Sequence, residues 1–308
     1  MTRLRPVPGT DVSVHPLAVD GSVFGWASGV EETSRILDTM VDHGGNLVST
    51  ADHYAGGRSE VMIGGWLSTL NDRGRVLVAT KIGRHPDAPG LSTRNVVRAA
   101  EAALQRLETD YIDFLSLDGV DEATPVEETL EAVDTLRRSG KVRYLAVSRY
   151  PADKLHQINE LADTAAYPPV RLVMAVYNLM QRTEFESELA PAVGGMGIGV
   201  VARLPLASGF LSGGFRSRAD TPTSPAFDGA LDHLGKVGTR VLHAIDEAAA
   251  ESDETSGRVA ISWALTKPSV VAAAVRLRNA EQLAELMAPG ELLLTRHQIS
   301  ALDRASDR

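Results

Sequence analysis

The feature that most constrains this chain is a repeated alternation of short apolar runs with longer amphipathic segments. Apolar runs occur at Pro16–Val19, Asn46–Val48, Arg75–Thr80, Tyr111–Leu117, Val142–Val147, Leu172–Val176, Gly199–Ala202 and Val270–Val275. Helix-like stretches lie between them. Glu31–His43 ends at Gly44-Gly45, where left-handed backbone carries no Cβ penalty. Ser92–Glu108 has Ser92 placed to cap it and Val96, Ala100, Ala103, Leu104 and Leu107 on one face. Further helices are predicted over Pro125–Ser139, Ala152–Ala162, Glu184–Val193, Lys236–Glu251, Arg258–Leu265 and Asn279–Met287.

Such alternation implies parallel strands joined by right-handed crossovers. About eight units in 308 residues predict a closed (β/α)8 TIM barrel, one α/β domain spanning 1–308, with a long loop over about 204–235 after the seventh strand. The stretch from Gly213 to Asp232 in that loop is rich in Ser, Pro, Gly and Arg, and such a loop in a compact domain is usually functional or disordered. An open doubly wound sheet is the competing architecture, but its dinucleotide fingerprint is missing. The nearest match, Gly197-Ile-Gly199-Val-Val-Ala202, enters a strand instead of leaving one, and reads as a turn.

Composition excludes several chemistries. The chain has no cysteine, so thiolate nucleophiles, disulfides and Cys-ligated metals are ruled out. A net charge of −9 argues against a nucleic-acid partner or an anionic membrane surface. Apolar runs such as Val270–Val275 are too short to span a bilayer. No apolar signal stretch is visible in MTRLRPVPGT, so a cytoplasmic location is expected. The eight His residues lack metal-ligand spacing, and no nucleophile elbow or phosphate-binding loop is present.

In a barrel the reactive residues stand at the C-terminal ends of the strands. Here these are Ser49, Asp52, His53 and Tyr54 after the second strand, Lys81 after the third and Asp118 after the fourth. Ser148 and Arg149 follow the fifth strand, Tyr177 and Asn178 the sixth, Arg203 the seventh, and Arg276 and Arg278 the eighth. A Tyr and a Lys on adjacent strand ends form a proton-donor pair, in which the ammonium is expected to lower the phenol pKa. Asp52 and His53 flank the tyrosine as alternative proton carriers, and Trp26 is a candidate pocket wall.

The segment Asn46-Leu-Val-Ser-Thr-Ala-Asp-His-Tyr54-Ala-Gly-Gly-Arg-Ser-Glu60 resembles the second-strand signature of the aldo-keto reductases. The stretches Ala79-Thr-Lys81, Tyr111-Ile-Asp-Phe-Leu-Ser-Leu-Asp118-Gly, Gly140-Lys-Val-Arg-Tyr-Leu-Ala-Val-Ser148 and Tyr177-Asn-Leu are similar to the same family in the same order. So are Ala202-Arg-Leu-Pro-Leu-Ala-Ser-Gly-Phe-Leu-Ser-Gly213 and Arg278-Asn-Ala-Glu-Gln-Leu283. The resemblance implies a barrel that binds NADP(H) and passes a hydride to the carbonyl of a small-molecule substrate, through a Tyr, Lys, Asp and His tetrad. Tyr54 and Lys81 match the first two. Ser49 stands where the family has Asp, five residues before the tyrosine, and Asp118 stands where it has His.

By the same resemblance, Ser148, Arg149, Arg203, Pro205, Leu206, Ser208, Gly209, Leu211, Gly213, Arg276, Arg278 and Gln282 fall at cofactor-binding positions. Ser208, Gly209, Leu211 and Gly213 are placed to offer backbone N–H groups to a pyrophosphate. Arg203 is placed to stack on the nicotinamide. Arg278, just before the helix cap Asn279, suits a 2′-phosphate. Met174 occupies the position of a family Gln and lacks its amide.

Asp118 has three open roles. It can pair with Lys81, act as a general base, or be protonated by burial into a donor. The leading expectation is therefore an NADP-dependent oxidoreductase. A second is a non-redox lyase, dehydratase or isomerase using Asp118 and Tyr54, and a third is a catalytically silent NADP(H)-binding protein.

Overall fold

A computed structural model describes residues 3–220, 224, 227–287 and 292–307. Its centre is a closed barrel of eight parallel strands, β1 Leu17–Asp20, β2 Leu47–Ala51, β3 Leu77–Ile82, β4 Ile112–Asp118, β5 Val142–Ser148, β6 Val170–Val176, β7 Gly199–Arg203 and β8 Val270–Val275. Neighbours follow chain order around the barrel, and β8 closes on β1 through Ala273↔Leu17, Ala274↔Ala18 and Val275↔Val19.

Ten helices surround it among the described residues. They are α1 Val30–Asp42, α2 Arg58–Leu67, α3 Thr93–Arg106, α4 Val126–Arg138, α5 Ala152–Ala165, α6 Ala190–Met196, α7 Lys236–Ser252, α8 Ser256–Ala264, α9 Ala280–Leu286 and α10 Arg296–Ser306. The expected (β/α)8 barrel is the observed fold. Part of the loop expected over 204–235, residues 221–223 and 225–226, lies outside the described residues.

Period-two alternation explains the two cores. One set of strand side chains points outward and packs under the helices, where α1 contributes Ile36, Leu37 and Met40. The other set fills the barrel. Phe114, Leu172 and Met174 interlock there with the small Ala79, Ala146, Ala272 and Ala274, as the taper of a small barrel requires. The N-terminal end is closed by a hairpin pairing Arg5–Pro6 with Ser13–Val14, which sends Val7 and Val14 into the same cluster. With only two residues per strand, that hairpin carries no periodic signal.

Three local expectations are corrected. The first strand runs one residue further than Val19 and ends on Asp20. Ser92 stands at the cap of α3 but makes no capping bond. The Thr93 N–H, one of the four orphan donors of that helix, instead donates to Glu128 Oε1 at 2.9 Å. The helix expected at Glu184–Val193 opens with a π turn at Phe185–Leu189 before α6, where Pro191 removes an N–H from the ladder. Gly197 holds a left-handed cap at φ 64°, so Gly197-Ile198-Gly199 is the turn into β7.

Candidate active site

Alternation also decides which side chains reach the mouth. Going up β3, Leu77 and Ala79 fill the barrel interior and the next inward position is Lys81. On β4 the same rule runs Phe114, Ser116, Asp118, and on β2 it runs Leu47, Ser49, Ala51. Register then sets neighbours around the rim: Asp20 opposite Ser49, Ala51 opposite Lys81, Asp118 opposite Ser148, and Val176 opposite Arg203.

Tyr54 is carried on a tight turn after β2. Ala55, Gly56 and Gly57 all have left-handed backbone, at φ 51°, 67° and 87°. Hydrogen bonds tie the turn down on both sides. Thr50 Oγ1 and Ser59 Oγ lie 2.7 Å apart, Ser59 Oγ donates to the Gly21 carbonyl at 2.8 Å, and Arg58 Nε donates to the Ala55 carbonyl at 3.0 Å. Beneath, fully buried Glu60 accepts from Thr80 Oγ1 at 2.5 Å and pairs with Arg106 at 2.7 Å. His53 meets Tyr54 edge-on at 4.9 Å, and its Nδ1 lies 3.1 Å from Asp52 Oδ1.

Lys81 Nζ sits over the Tyr54 ring, 4.9 Å from its centroid, and donates to Ser49 Oγ at 3.0 Å. The lysine is fully buried, and burial pushes its pKa down to about 8. Asp20 is the strongest opposing influence, Arg203 and Arg149 add to the depression, and Asp118 resists it. The phenol departs from the sequence expectation. Burial first, then Asp20 and Asp118, push the Tyr54 pKa well above its ordinary value, against Arg203 and Arg276. Desolvation of the phenolate outweighs the nearby cations, so the resting group is a protonated donor.

Asp118 does not pair with Lys81. Its two oxygens accept from Arg149, Nε to Oδ1 at 3.0 Å and Nη2 to Oδ2 at 2.5 Å. The fork forms because Arg149 adopts left-handed backbone at φ 58° immediately after β5. Arg149 also lines a cavity of about 510 Å³ between the turn after β5, the C-terminal half of β6 and the segment that follows it, together with Tyr150, Met174, Gln181 and Phe185. Met174 Sδ is 3.7 Å from Ser49 Oγ, so the cavity wall continues into the site floor.

The positions that resemblance assigns to a cofactor fall into two groups. Ser148, Arg149, Arg203 and Arg276 ring the mouth. Arg203 Nη1 is 3.5 Å from Ser148 Oγ, and the buried Nε atoms of Arg203 and Arg276 have no hydrogen-bond partner among the described residues. The second group lies on the rim after β7. Gly209 needs its hydrogen there, since a Cβ would stand 2.4 Å from Phe227 Cδ1 and φ is 89°. Arg278 stacks over the same Phe227 at 5.4 Å.

The N–H groups of Gly209 and Leu211 already donate to the Leu206 carbonyl and that of Gly213 to Phe210, which leaves Ser208 as the amide of this turn with no partner among the described residues. Leu206 and Leu211 are core side chains, and Pro205 is buried beside them. Asn279 caps α9 through the Gln282 N–H at 3.1 Å, and Gln282 Oε1 in turn accepts from the Arg278 N–H at 3.0 Å.

Two sequence candidates fall away from the mouth. Tyr177 is buried and bonded to Glu186 at 2.7 Å, and Asn178 Nδ2 holds the Leu204 carbonyl at 2.9 Å. Trp26 is 63% exposed. Asp20 was not among the sequence candidates, and the strand boundary concealed it.

Comparison with known proteins agrees with the geometry. The aldo/keto reductase family model matches residues 21–307. The chain belongs to the aldo/keto reductase family. It is 30% identical to the uncharacterized oxidoreductase YrpG of Bacillus subtilis, over 96% of this chain and 93% of that protein. A probable voltage-gated potassium channel subunit beta of Arabidopsis thaliana is 30% identical over 86% of this chain and 83% of its own length. An aryl-alcohol dehydrogenase of Pestalotiopsis microspora is 28% identical over 97% and 81%. Family membership and these relatives support an oxidoreductase acting on a small molecule. Among the described residues no helix is long and apolar enough to cross a membrane, and no group of His, Asp or Glu could hold a metal ion.

Proposed function

We propose that this aldo/keto reductase reduces the carbonyl group of a small-molecule substrate with NADPH, Tyr54 giving the proton and Lys81 tuning it. The observation that carries this reading is the fully buried Lys81 ammonium stacked on the Tyr54 ring at the C-terminal mouth of the barrel. The residues present fit the cofactor. Unpartnered Nε atoms of Arg203 and Arg276 point to an acceptor-rich ligand in the mouth. Ser208 offers an amide on the rim, and Arg278 supplies a cation beside Phe227 for an adenosine phosphate. When bound, NADPH supplies the hydride.

The remaining work belongs to the chain. Tyr54 keeps its proton at neutral pH because its phenolate is desolvated, so the form able to protonate a carbonyl oxygen is the resting one. As the proton leaves, the Lys81 ammonium stabilises the phenolate that forms. Arg149 and Ser148 supply donors at the mouth, and Asp118, which stands where the family has His, holds the Arg149 fork in place. The non-redox reading needs Asp118 as a base, and both of its oxygens are engaged by Arg149.

The test is NADPH consumption with a panel of aldehydes and ketones, with Tyr54→Phe as the control and NADPH binding followed by fluorescence. A loss of turnover in Tyr54→Phe with binding retained is expected. Turnover undiminished in that variant would overturn the role given to Tyr54, and tight binding with no turnover on any carbonyl would favour the catalytically silent protein.

A further inference from the structure

We propose that Asp20 is the positioning carboxylate of the Tyr54–Lys81 pair, standing on the strand beside the one that carries serine in place of the family's aspartate. The inference rests on the reading of Tyr54 and Lys81 as the proton-transfer pair. Its first support is register. Asp20 is the last residue of β1 and lies directly opposite Ser49 of β2, whose hydroxyl accepts from Lys81 Nζ at 3.0 Å. One strand to the side of the missing carboxylate, a carboxylate is present.

Its second support is the way Asp20 is partnered. Its residue is 2% exposed and its Oδ1 accepts the Ser22 N–H at 3.0 Å, yet it makes no ion pair within 4 Å among the described residues. A buried carboxylate without a counter-ion is costly unless a cation nearby needs it. Lys81 is the buried cation of this mouth. The other mouth carboxylate, Asp118, is spent on Arg149.

The charged groups facing Lys81 are Asp20 from β1, Asp118 from β4, Arg149 after β5 and Arg203 from β7, with the Tyr54 phenol below it. Asp118 and Arg149 bind each other and Arg203 works against the ammonium, so Asp20 is the largest influence keeping Lys81 protonated. It also raises the Tyr54 phenol, so it holds both protons of the pair. Asp20 lies one residue before the segment matched by the family model, so family membership assigns it nothing.

The experiment titrates Lys81 in the full chain without cofactor or substrate. The protein contains five lysines, so 13C-labelled lysine gives a resolvable set of Cε signals, and Lys81→Met identifies the one that matters. The Lys81 midpoint near 8 is expected to fall by about one pH unit in Asp20→Asn, which keeps the acceptor for the Ser22 N–H. Adding Ser49→Asp to Asp20→Asn is expected to restore it, because the carboxylate returns to the neighbouring strand. The high-pH limb of kcat/KM is expected to move with the NMR midpoint in each variant.

An unchanged midpoint in folded Asp20→Asn overturns the proposal, and so does a double variant that stays at the Asp20→Asn value. Wild-type protein that titrates as expected but reduces no carbonyl overturns the proposed function and leaves the Asp20–Lys81 coupling standing.

Discussion

Asp20 and Asp118 each end a barrel strand with a buried carboxylate at the same mouth, but they face different cations. On the β1–β3 side the cation is a buried lysine bonded to a serine, and the carboxylate acts across a strand without touching it. On the β4–β5 side the cation is an arginine with 44% of its side chain exposed, and it grips its carboxylate with two donors. An exposed guanidinium loses little hydration on pairing, so a close fork forms. A buried ammonium has already lost its water, and even a carboxylate at longer range changes its protonation. The first side is therefore built to tune a proton and the second to fix a geometry.

The most severe way to break that contrast is to remove the tuned cation. Lys81→Met is expected to lower kcat/KM for carbonyl reduction by about 10²- to 10⁴-fold, the range of a lost acid–base contribution. NADPH binding measured by fluorescence should change little, because the mouth arginines remain. A comparable loss of binding would place Lys81 in cofactor affinity instead.

The next largest effect falls on the other side and on stability. Arg149→Ala leaves the Asp118 carboxylate buried and alone, and is expected to cost about 2 kcal/mol in urea unfolding, below the range for fully buried pairs because Arg149 is half exposed. Adding Asp118→Asn to Arg149→Ala should recover most of that loss. Asp20→Asn should cost about 1 kcal/mol or less, since its capping acceptor remains and no close ion pair is broken. If Asp20→Asn were the more damaging of the two, the division into tuning and fixing would be wrong.

A smaller effect is a pH limb. Lys81 must be an ammonium to stabilise the phenolate, so kcat/KM should decline as pH rises through about 8, where burial has set its proton loss. Arg149 cannot lose its proton in that range and contributes no limb. A profile flat from pH 7 to 9.5 in a step limited by chemistry would separate Lys81 from the proton transfer.

Legibility in the sequence followed the same divide between pattern and contact. The barrel was readable because eight apolar runs repeat with a period that few other architectures satisfy. Tyr54 and Lys81 were readable because motif and strand-end position coincide. Asp118 was found, but its partner was not, because the fork depends on Arg149 turning into left-handed backbone at φ 58°. Asp20 escaped for a plainer reason. Its strand was expected to end at Val19, and a shift of one residue decides whether a side chain faces the barrel mouth. The direction of the Tyr54 shift was also missed, since a list of neighbouring charges carries no measure of burial.

The weakest expected effect tests the same lysine through stability instead of rate. Its pKa is about 8 when folded and 10.5 as the ordinary value, so between those values the unfolded chain holds a proton that the folded chain has shed. Unfolding then takes up a proton, and stability rises with pH across that window. Below about pH 8 both states are charged and the desolvation cost of Lys81 is present in full. From pH 8 to 9.5 the unfolding free energy of the wild type, measured by urea titration, should therefore climb relative to Lys81→Met by about 1.5 kcal/mol. The comparison stops short of pH 10, because Tyr54, Tyr150 and Tyr177 have raised pKa values and pull stability the other way once unfolded tyrosines ionise. Parallel curves for the two proteins would mean that Lys81 is hydrated in the folded state. The long-range role given to Asp20 would then lose the buried, weakly screened cation on which it acts.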